Sequence, residues 1–179
     1  MKGFITENTA PPEEEGPFEI ERKFLIEYPD ISWLESLETC CKVDIIQTYL
    51  LSSEGEVVRV RRWEEGGSCA YYETRKRTIT GVRRVEHERP LTRREYLDRL
   101  READPTLRPV RKTRYRLTWE RQCFEIDVYP FWQDRAIVEI ELTREDQPIR
   151  FPRELKVIRE VTEDEDYKNH SLARLLPAE

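Results

Sequence analysis

No apolar run in the sequence approaches the length needed to cross a bilayer, which excludes a helical membrane span. The first segment, Met1–Pro17, lacks the basic-then-apolar layout of a secretory signal. The four cysteines, Cys40, Cys41, Cys69 and Cys123, form no CxxC pair and show no zinc-type spacing with histidine, so a reduced, cytoplasmic setting is expected. A P-loop, GxxxxGK[ST], is missing. No serine or cysteine has a His–Asp constellation to make it a nucleophile. There is no internal repeat of fixed period.

What is present is charge. Charged residues make up 38% of the 179 residues and the apolar set 37%, a polar balance for a chain long enough to bury one substantial core. The net charge of -6 is segregated: residues 1–58 carry -9, residues 59–121 carry +9 and residues 122–179 carry -6. Arginine outnumbers lysine 24 to 7, and the guanidinium fork suits phosphate or carboxylate oxygens. The basic middle either binds an anion or neutralises the other segments in the fold. A nucleic-acid surface is disfavoured, because the whole chain repels a polyanion at long range.

Residues 1–17 read as a flexible acidic, proline-rich tail, and residues 18–179 as one domain. Alternation then dominates, starting with Phe18, Ile20, Arg22, Phe24 and Ile26 on one parity. Asp30 reads as the N-cap of a short helix over Ile31–Glu38. Strands are expected near Val43–Leu51, Val57–Trp63, Cys69–Arg77, Val82–Pro90, Val110–Trp119, Cys123–Tyr129 and Ala136–Thr143. Thr92 with Glu95 is a capping-box signature for a helix to about Ala103. Short helices are read over Phe151–Ile158 and Asp166–Leu176, the last as a cap over one tunnel mouth. The fold class is mainly β (α+β): a closed eight-stranded antiparallel β-barrel tunnel with a few flanking helices.

The tunnel follows from where the charges fall. Side chains two residues apart share a strand face. Glu19, Glu21 and Lys23 therefore line up, as do Arg59 with Arg61, Glu86 with Glu88, Lys112 with Arg114, Glu125 with Asp127, and Glu139 with Glu141. Residues between them, such as Val58, Val60, Ile126, Val138 and Ile140, are apolar. For any single pair a solvated outer face with cross-strand salt bridges is the better reading. Six pairs of like charge are not, since exposed ion pairs return only about 0–1 kcal/mol each. Inward-facing charges explain them: carboxylate clusters hold divalent metal and basic clusters hold phosphate oxygens.

The motifs, taken in order, resemble those of the CYTH domain of the triphosphate tunnel metalloenzyme superfamily. Glu19-Ile20-Glu21-Arg22-Lys23 matches its ExExK, Gln47-Thr48-Tyr49-Leu50 its second strand, Arg59-Val60-Arg61 its RxR and Thr74-Arg75-Lys76 its TxK. Glu86-His87-Glu88, Lys112-Thr113-Arg114-Tyr115, Glu125-Ile126-Asp127 and Val138-Glu139-Ile140-Glu141-Leu142 follow, and Val161-Thr162 with Asp164, Tyr167 and Asn169 closes the series. The likeness runs from Phe18 to about Leu176. It implies a metal-dependent hydrolase of triphosphate substrates. Glu19, Glu21, Asp127, Glu139 and Glu141 would hold magnesium or manganese (Mg2+ or Mn2+). Lys23, Arg59, Arg61, Lys76, Lys112 and Arg114 would grip the triphosphate. Catalysis would fall to Lys23, Glu19 and Glu139, with metal-polarised water attacking the terminal phosphorus near one of the two glutamates. Glu86 and Glu88 are read as orienting the basic side chains. A subgroup carries this domain behind a P-loop ATPase, and this chain would be a free-standing version.

Inorganic triphosphate is the leading substrate, because a dense ring of cations holds three phosphates without a base or sugar. Nucleoside or thiamine triphosphatase, adenylyl cyclase and a non-catalytic polyphosphate- or nucleotide-binding module stay open, as does a charged sandwich for protein contacts. Expected partners are a small-molecule triphosphate or polyphosphate, with no membrane and no nucleic acid, and a homodimer as a candidate assembly. Other prominent residues take plainer readings. Cys40-Cys41 ends a helix and packs, His87 faces outward, His170 is isolated, and Lys168 is a surface lysine. The four tryptophans are core or rim aromatics.

Overall fold

Alternating apolar and charged residues make strands whose two faces need different environments, and a curved sheet supplies both. A computed structural model describes residues 20–80 and 83–175, with backbone alone for 78–80 and 83–85. The expected tail, the start of the first strand at Phe18 and Glu19, and the turn at Gly81 lie outside the described residues. Strand β1 (Ile20–Glu27) leads to helix α1 (Ile31–Ser36), then β2 (Cys40–Leu50), β3 (Glu56–Glu65), β4 (Ser68–Thr80) and β5 (Arg83–Leu91). Helix α2 (Arg93–Arg99) and a 3-10 turn (Leu100–Glu102) precede β6 (Val110–Trp119), β7 (Gln122–Val128) and β8 (Arg135–Leu142). Strand β9 (Val157–Glu160), a 3-10 turn (Glu165–Tyr167) and helix α3 (Asn169–Leu175) complete the described chain.

Local chemistry sets the boundaries. Asp30 caps α1 by accepting from the Trp33 amide at 3.1 Å, and Thr92 and Glu95 form the reciprocal capping box of α2. Gly66 and Gly67, with φ of 55° and 81°, make the two-residue hairpin loop between β3 and β4. The β6–β7 loop has the same sign of φ at Glu120 (45°) and Arg121 (65°), without glycine to relieve it.

All pairings are antiparallel, and the sheet order is β5-β4-β3-β2-β6-β7-β8-β1-β9. Two expectations are corrected here. The sheet of the described residues has nine strands rather than eight, and it is open, with β5 and β9 as unjoined edges. The added strand lies in the stretch read as a helix over Phe151–Ile158, which has no helix. Phe151 instead packs against Phe24 and Phe124, with ring centroids 5.0 and 5.4 Å away. Leu155 closes a turn onto Pro152, and the chain then pairs with the free edge of β1 at Phe24–Ile26. Pairing that edge satisfies backbone groups that a helix would have left open. Cys40 and Cys41 also differ from expectation: α1 stops at Ser36, and the two residues open β2.

The convex face carries two apolar clusters. Leu34 of α1, with Phe151 and Leu155, covers Phe24, Ile26, Phe124, Ile126, Val138 and Ile140. Tyr96 of α2 covers Leu50, Val58, Val60 and Leu91. A third cluster lies on the concave face, where Leu172 and Ala173 of α3 meet Leu25, Tyr49, Val110 and Ile137 and floor one end of the trough. Among the described residues no helix is long and apolar enough to cross a membrane.

Candidate active site on the concave face

Strand register decides which charges meet. Glu21 pairs with Glu141 and Lys23 with Glu139; Glu139 in turn pairs with Glu125. Asp127 pairs with Arg114, and Lys112 with Ile45. Gln47 pairs with Arg61, Tyr49 with Arg59, Arg59 with Thr74, and Val57 with Lys76. Beyond them Thr74 pairs with Glu88 and Lys76 with Glu86. Since directly paired residues point the same way, Glu21, Lys23, Arg59, Arg61, Lys76, Lys112, Arg114, Asp127, Glu139 and Glu141 occupy one face. Glu19 lies outside the described residues. The acids of β1, β7 and β8 form one wall, and the bases of β3, β4 and β6 the other.

The two walls are brought close. Glu21 on β1 and Lys76 on β4 are six strand spacings apart in the sheet order, roughly 29 Å along a flat sheet. Yet Lys76 is near enough to Glu21 to oppose the rise of its pKa, so the sheet curls to bring β4 toward β1. The sheet is therefore curved into a trough whose edges, β5 and β9, stay unjoined.

An ion-pair network runs along its floor. Lys23 Nζ lies 2.7 Å from Glu139 Oε1. Arg114 grips Asp127 with two bonds, from Nε at 2.6 Å and its terminal nitrogen at 2.7 Å, and reaches Glu139 at 2.6 Å. It also pairs with Glu125, while Lys112 pairs with Asp127. On the far wall Lys76 pairs with Glu86 at 2.5 Å, Arg59 with the same carboxylate at 3.5 Å, and Arg61 with Glu88. Glu88 also accepts from Thr74 Oγ1 at 2.9 Å. Glu86 and Glu88 thus buttress the basic side chains. Motif reading did not include Gln47 and Glu125 among the site residues. Gln47 is 1% exposed and accepts from Arg59 at 3.0 Å; both residues fall within the matched motifs and share the inward parity, the signals that could have marked them.

Electrostatic shifts follow the geometry. The neighbouring Glu139 carboxylate and burial push Glu21 up to about 7, against the pull of Lys23, Lys76 and Arg114. Burial alone would raise Glu139, but Lys23, Arg114 and Lys112 outweigh it and hold Glu139 well below the usual carboxylate range. Burial and Arg114 press Lys112 down to about 8.

Two needs remain unmet. Arg59 Nε and Arg61 Nε are buried without a hydrogen-bond partner among the described residues, and such donors suit the oxygens of an anion. Glu21 and Glu139 repel one another, which a cation would relieve. Among the described residues no three carboxylate, histidine or cysteine side chains group closely enough to hold a metal alone. One or two carboxylates completed by phosphate oxygens and water is nevertheless a common magnesium environment, so the donor set fits.

Comparison with known proteins agrees in fold. The structure described as the hypothetical protein NE1496 is 31% identical, with a TM-score of 0.58 over 89% of this chain and 100% of that one. The structure described as the inorganic triphosphatase NE1496 is 29% identical, with a TM-score of 0.57 over 92% and 99%. The PH1819 protein from Pyrococcus horikoshii OT3, at 17% identity, shares the fold with a TM-score of 0.50 over 69% of this chain and 80% of its own. No curated protein matches the sequence. The family match to the CYTH domain spans residues 17–174, from just ahead of Glu19 to the last helix, and the chain belongs to that family.

Proposed function

We propose that the chain is a divalent-metal-dependent triphosphatase acting by preference on inorganic triphosphate. The observation that carries this reading is the pair of buried, unpartnered Arg59 and Arg61 Nε donors facing a wall of carboxylates. A pure anion binder gains from the arginines and has no need of the acids. The likeness to the structure described as the inorganic triphosphatase NE1496 supports the choice of substrate.

In this reading Lys23, Arg59, Arg61, Lys76, Lys112 and Arg114 hold the phosphate chain, and Glu19, Glu21, Asp127, Glu139 and Glu141 supply oxygen ligands. Magnesium or manganese bound there would polarise water and offset the charge of the phosphate oxygens. Arg114 and Lys112 fix Asp127, and Glu86 and Glu88 aim the cations of the far wall. Lys23, paired with Glu139, would neutralise charge on the leaving oxygen.

The test is to incubate the protein with tripolyphosphate, ATP or thiamine triphosphate, each with magnesium, manganese or EDTA, and to measure phosphate and cyclic AMP. Metal-dependent phosphate release chiefly from tripolyphosphate is expected. Cyclic AMP from ATP would make it a cyclase, and tight binding without turnover a binding module.

A further inference from the structure

The closing motif Val161-Thr162 follows β9 and takes no part in the ion pairs of the trough, yet it touches the backbone of Lys23 twice. The Val161 amide donates to the Lys23 carbonyl at 2.8 Å, and the Lys23 amide donates to Thr162 Oγ1 at 3.0 Å. Both polar groups of the Lys23 backbone therefore point to the β9 side of β1. In an antiparallel ladder the N–H and C=O of one residue face the same neighbour. Lys23 is thus not backbone-bonded to Glu139, its partner on β8, and the two form a non-hydrogen-bonded pair. Such pairs bring side chains closest, which suits the 2.7 Å contact of Lys23 Nζ with Glu139. The same geometry puts both backbone anchors of Lys23 on the far side, away from that contact.

On that side a side chain does the work of a strand. The β9 ladder reaches β1 only over Phe24–Ile26, so it stops short of the Lys23 amide. Thr162 Oγ1 stands in for the next ladder carbonyl. To accept from Lys23 it has to send its own proton elsewhere, and Glu160 takes it: the Thr162 hydroxyl donates to Oε1 at 2.7 Å. Arg22 fixes Glu160 in turn, donating from Nε to the same oxygen at 2.9 Å and from its terminal nitrogen to the other at 2.5 Å. The bond from Arg22, aided by that from Thr162, holds the Glu160 carboxyl below its ordinary range against the opposing effect of burial, so it stays ionised and can only accept. Every hydrogen bond from Arg22 to Lys23 therefore has one direction.

We infer that Thr162 is a positioning residue: its hydroxyl, oriented by Glu160, holds the Lys23 backbone so that Nζ meets Glu139 and the leaving oxygen of the substrate. The inference rests on the triphosphatase reading above and adds to it a neutral side chain that never touches the phosphate chain.

Thr162→Val keeps the branched shape and removes the acceptor, whereas Thr162→Ser keeps the hydroxyl. With tripolyphosphate and magnesium the valine variant should lose about 10-fold in kcat, within what a misplaced catalytic group costs. KM should change little, because the other cations still hold the chain, and the serine variant should recover most of the lost kcat. Amide hydrogen exchange gives the direct readout: the Lys23 amide should exchange faster in the valine variant while the Val161 amide stays protected, showing that the segment after β9 remains docked. An equally protected Lys23 amide, a parental kcat, or a serine variant as slow as the valine one overturns the assignment of Thr162 alone. Lost protection at Val161 also overturns it, since the effect is then undocking of the edge. A parent protein that does not hydrolyse tripolyphosphate overturns the triphosphatase reading, and the role of Thr162 with it, whatever the exchange at Lys23 shows.

Discussion

Replacing Asp127 with alanine separates a structural anchor from a residue that waits for metal. Asp127 is fully buried and accepts two bonds from Arg114 and one from Lys112, whose side chain is 2% exposed. Removing one partner of a buried ion pair costs about 3–5 kcal/mol, because the remaining charge stays desolvated. The lower end applies here for two reasons. Arg114 keeps Glu139 and Glu125 as partners. Lys112, already pressed to about 8, can shed its proton rather than remain as an orphan cation. A loss of about 3 kcal/mol, at roughly 2–4 °C per kcal/mol for a domain of this size, lowers the melting temperature by about 6–12 °C. The assay is thermal unfolding in EDTA, where no metal contributes. If Asp127 served only as a metal ligand, its removal would relieve carboxylate repulsion and leave the metal-free protein as stable or more so. That result would refute the anchoring argument.

Glu21→Gln should do the opposite: relieve repulsion with Glu139, raise the melting temperature in EDTA, and abolish metal-dependent phosphate release. On the convex face Glu73, 2% exposed, accepts from Arg75 at 3.1 Å and Arg99 at 2.6 Å, so Glu73→Gln should cost about 2 kcal/mol in chemical denaturation. Burial would raise its pKa, but the bonds from Arg75 and Arg99 prevail and lower it. The stability it contributes is therefore present above about pH 4.3, its unfolded value, and lost as pH falls through the lower folded value. The variant should lose less stability than the parent below pH ~4. Exchanging Glu120-Arg121 for Asn-Gly should raise the melting temperature, since left-handed backbone costs ordinary residues about 1–2 kcal/mol each.

The period-two arithmetic of a strand made much of this legible. Once Glu21, Lys23, Arg59, Arg61, Lys112, Arg114, Asp127 and Glu139 are each placed by parity, antiparallel pairing needs only to choose one face for all of them, and the register does so. Helix caps were legible for a similar reason: Asp30 and the Thr92–Glu95 pair act within one turn of chain. What parity could not supply was anything set by distant partners. Phe151 and Leu155 carry a helical spacing, yet their neighbours are Phe24 and Phe124, and the backbone beyond them is claimed by the open edge of β1. No pattern within eight residues reveals that edge.

Gln47 and Tyr49 show the same limit at the site. Both share the inward parity of the charged residues and fall in the second-strand motif, but neither carries charge, and the bonds that join them to each other and Gln47 to Arg59 of β3 are visible only in the fold. Curvature is likewise a property of the whole sheet. Parity says that Glu21 and Lys76 share a face; only the accumulated bend of the strands between them decides whether they meet. A flat sheet would leave the bases of β3 and β4 out of reach of the acids of β1, β7 and β8, and Glu21 would keep Lys23 as a counterweight to Glu139 but lose Lys76. Curling is what brings Lys76 within range of Glu21.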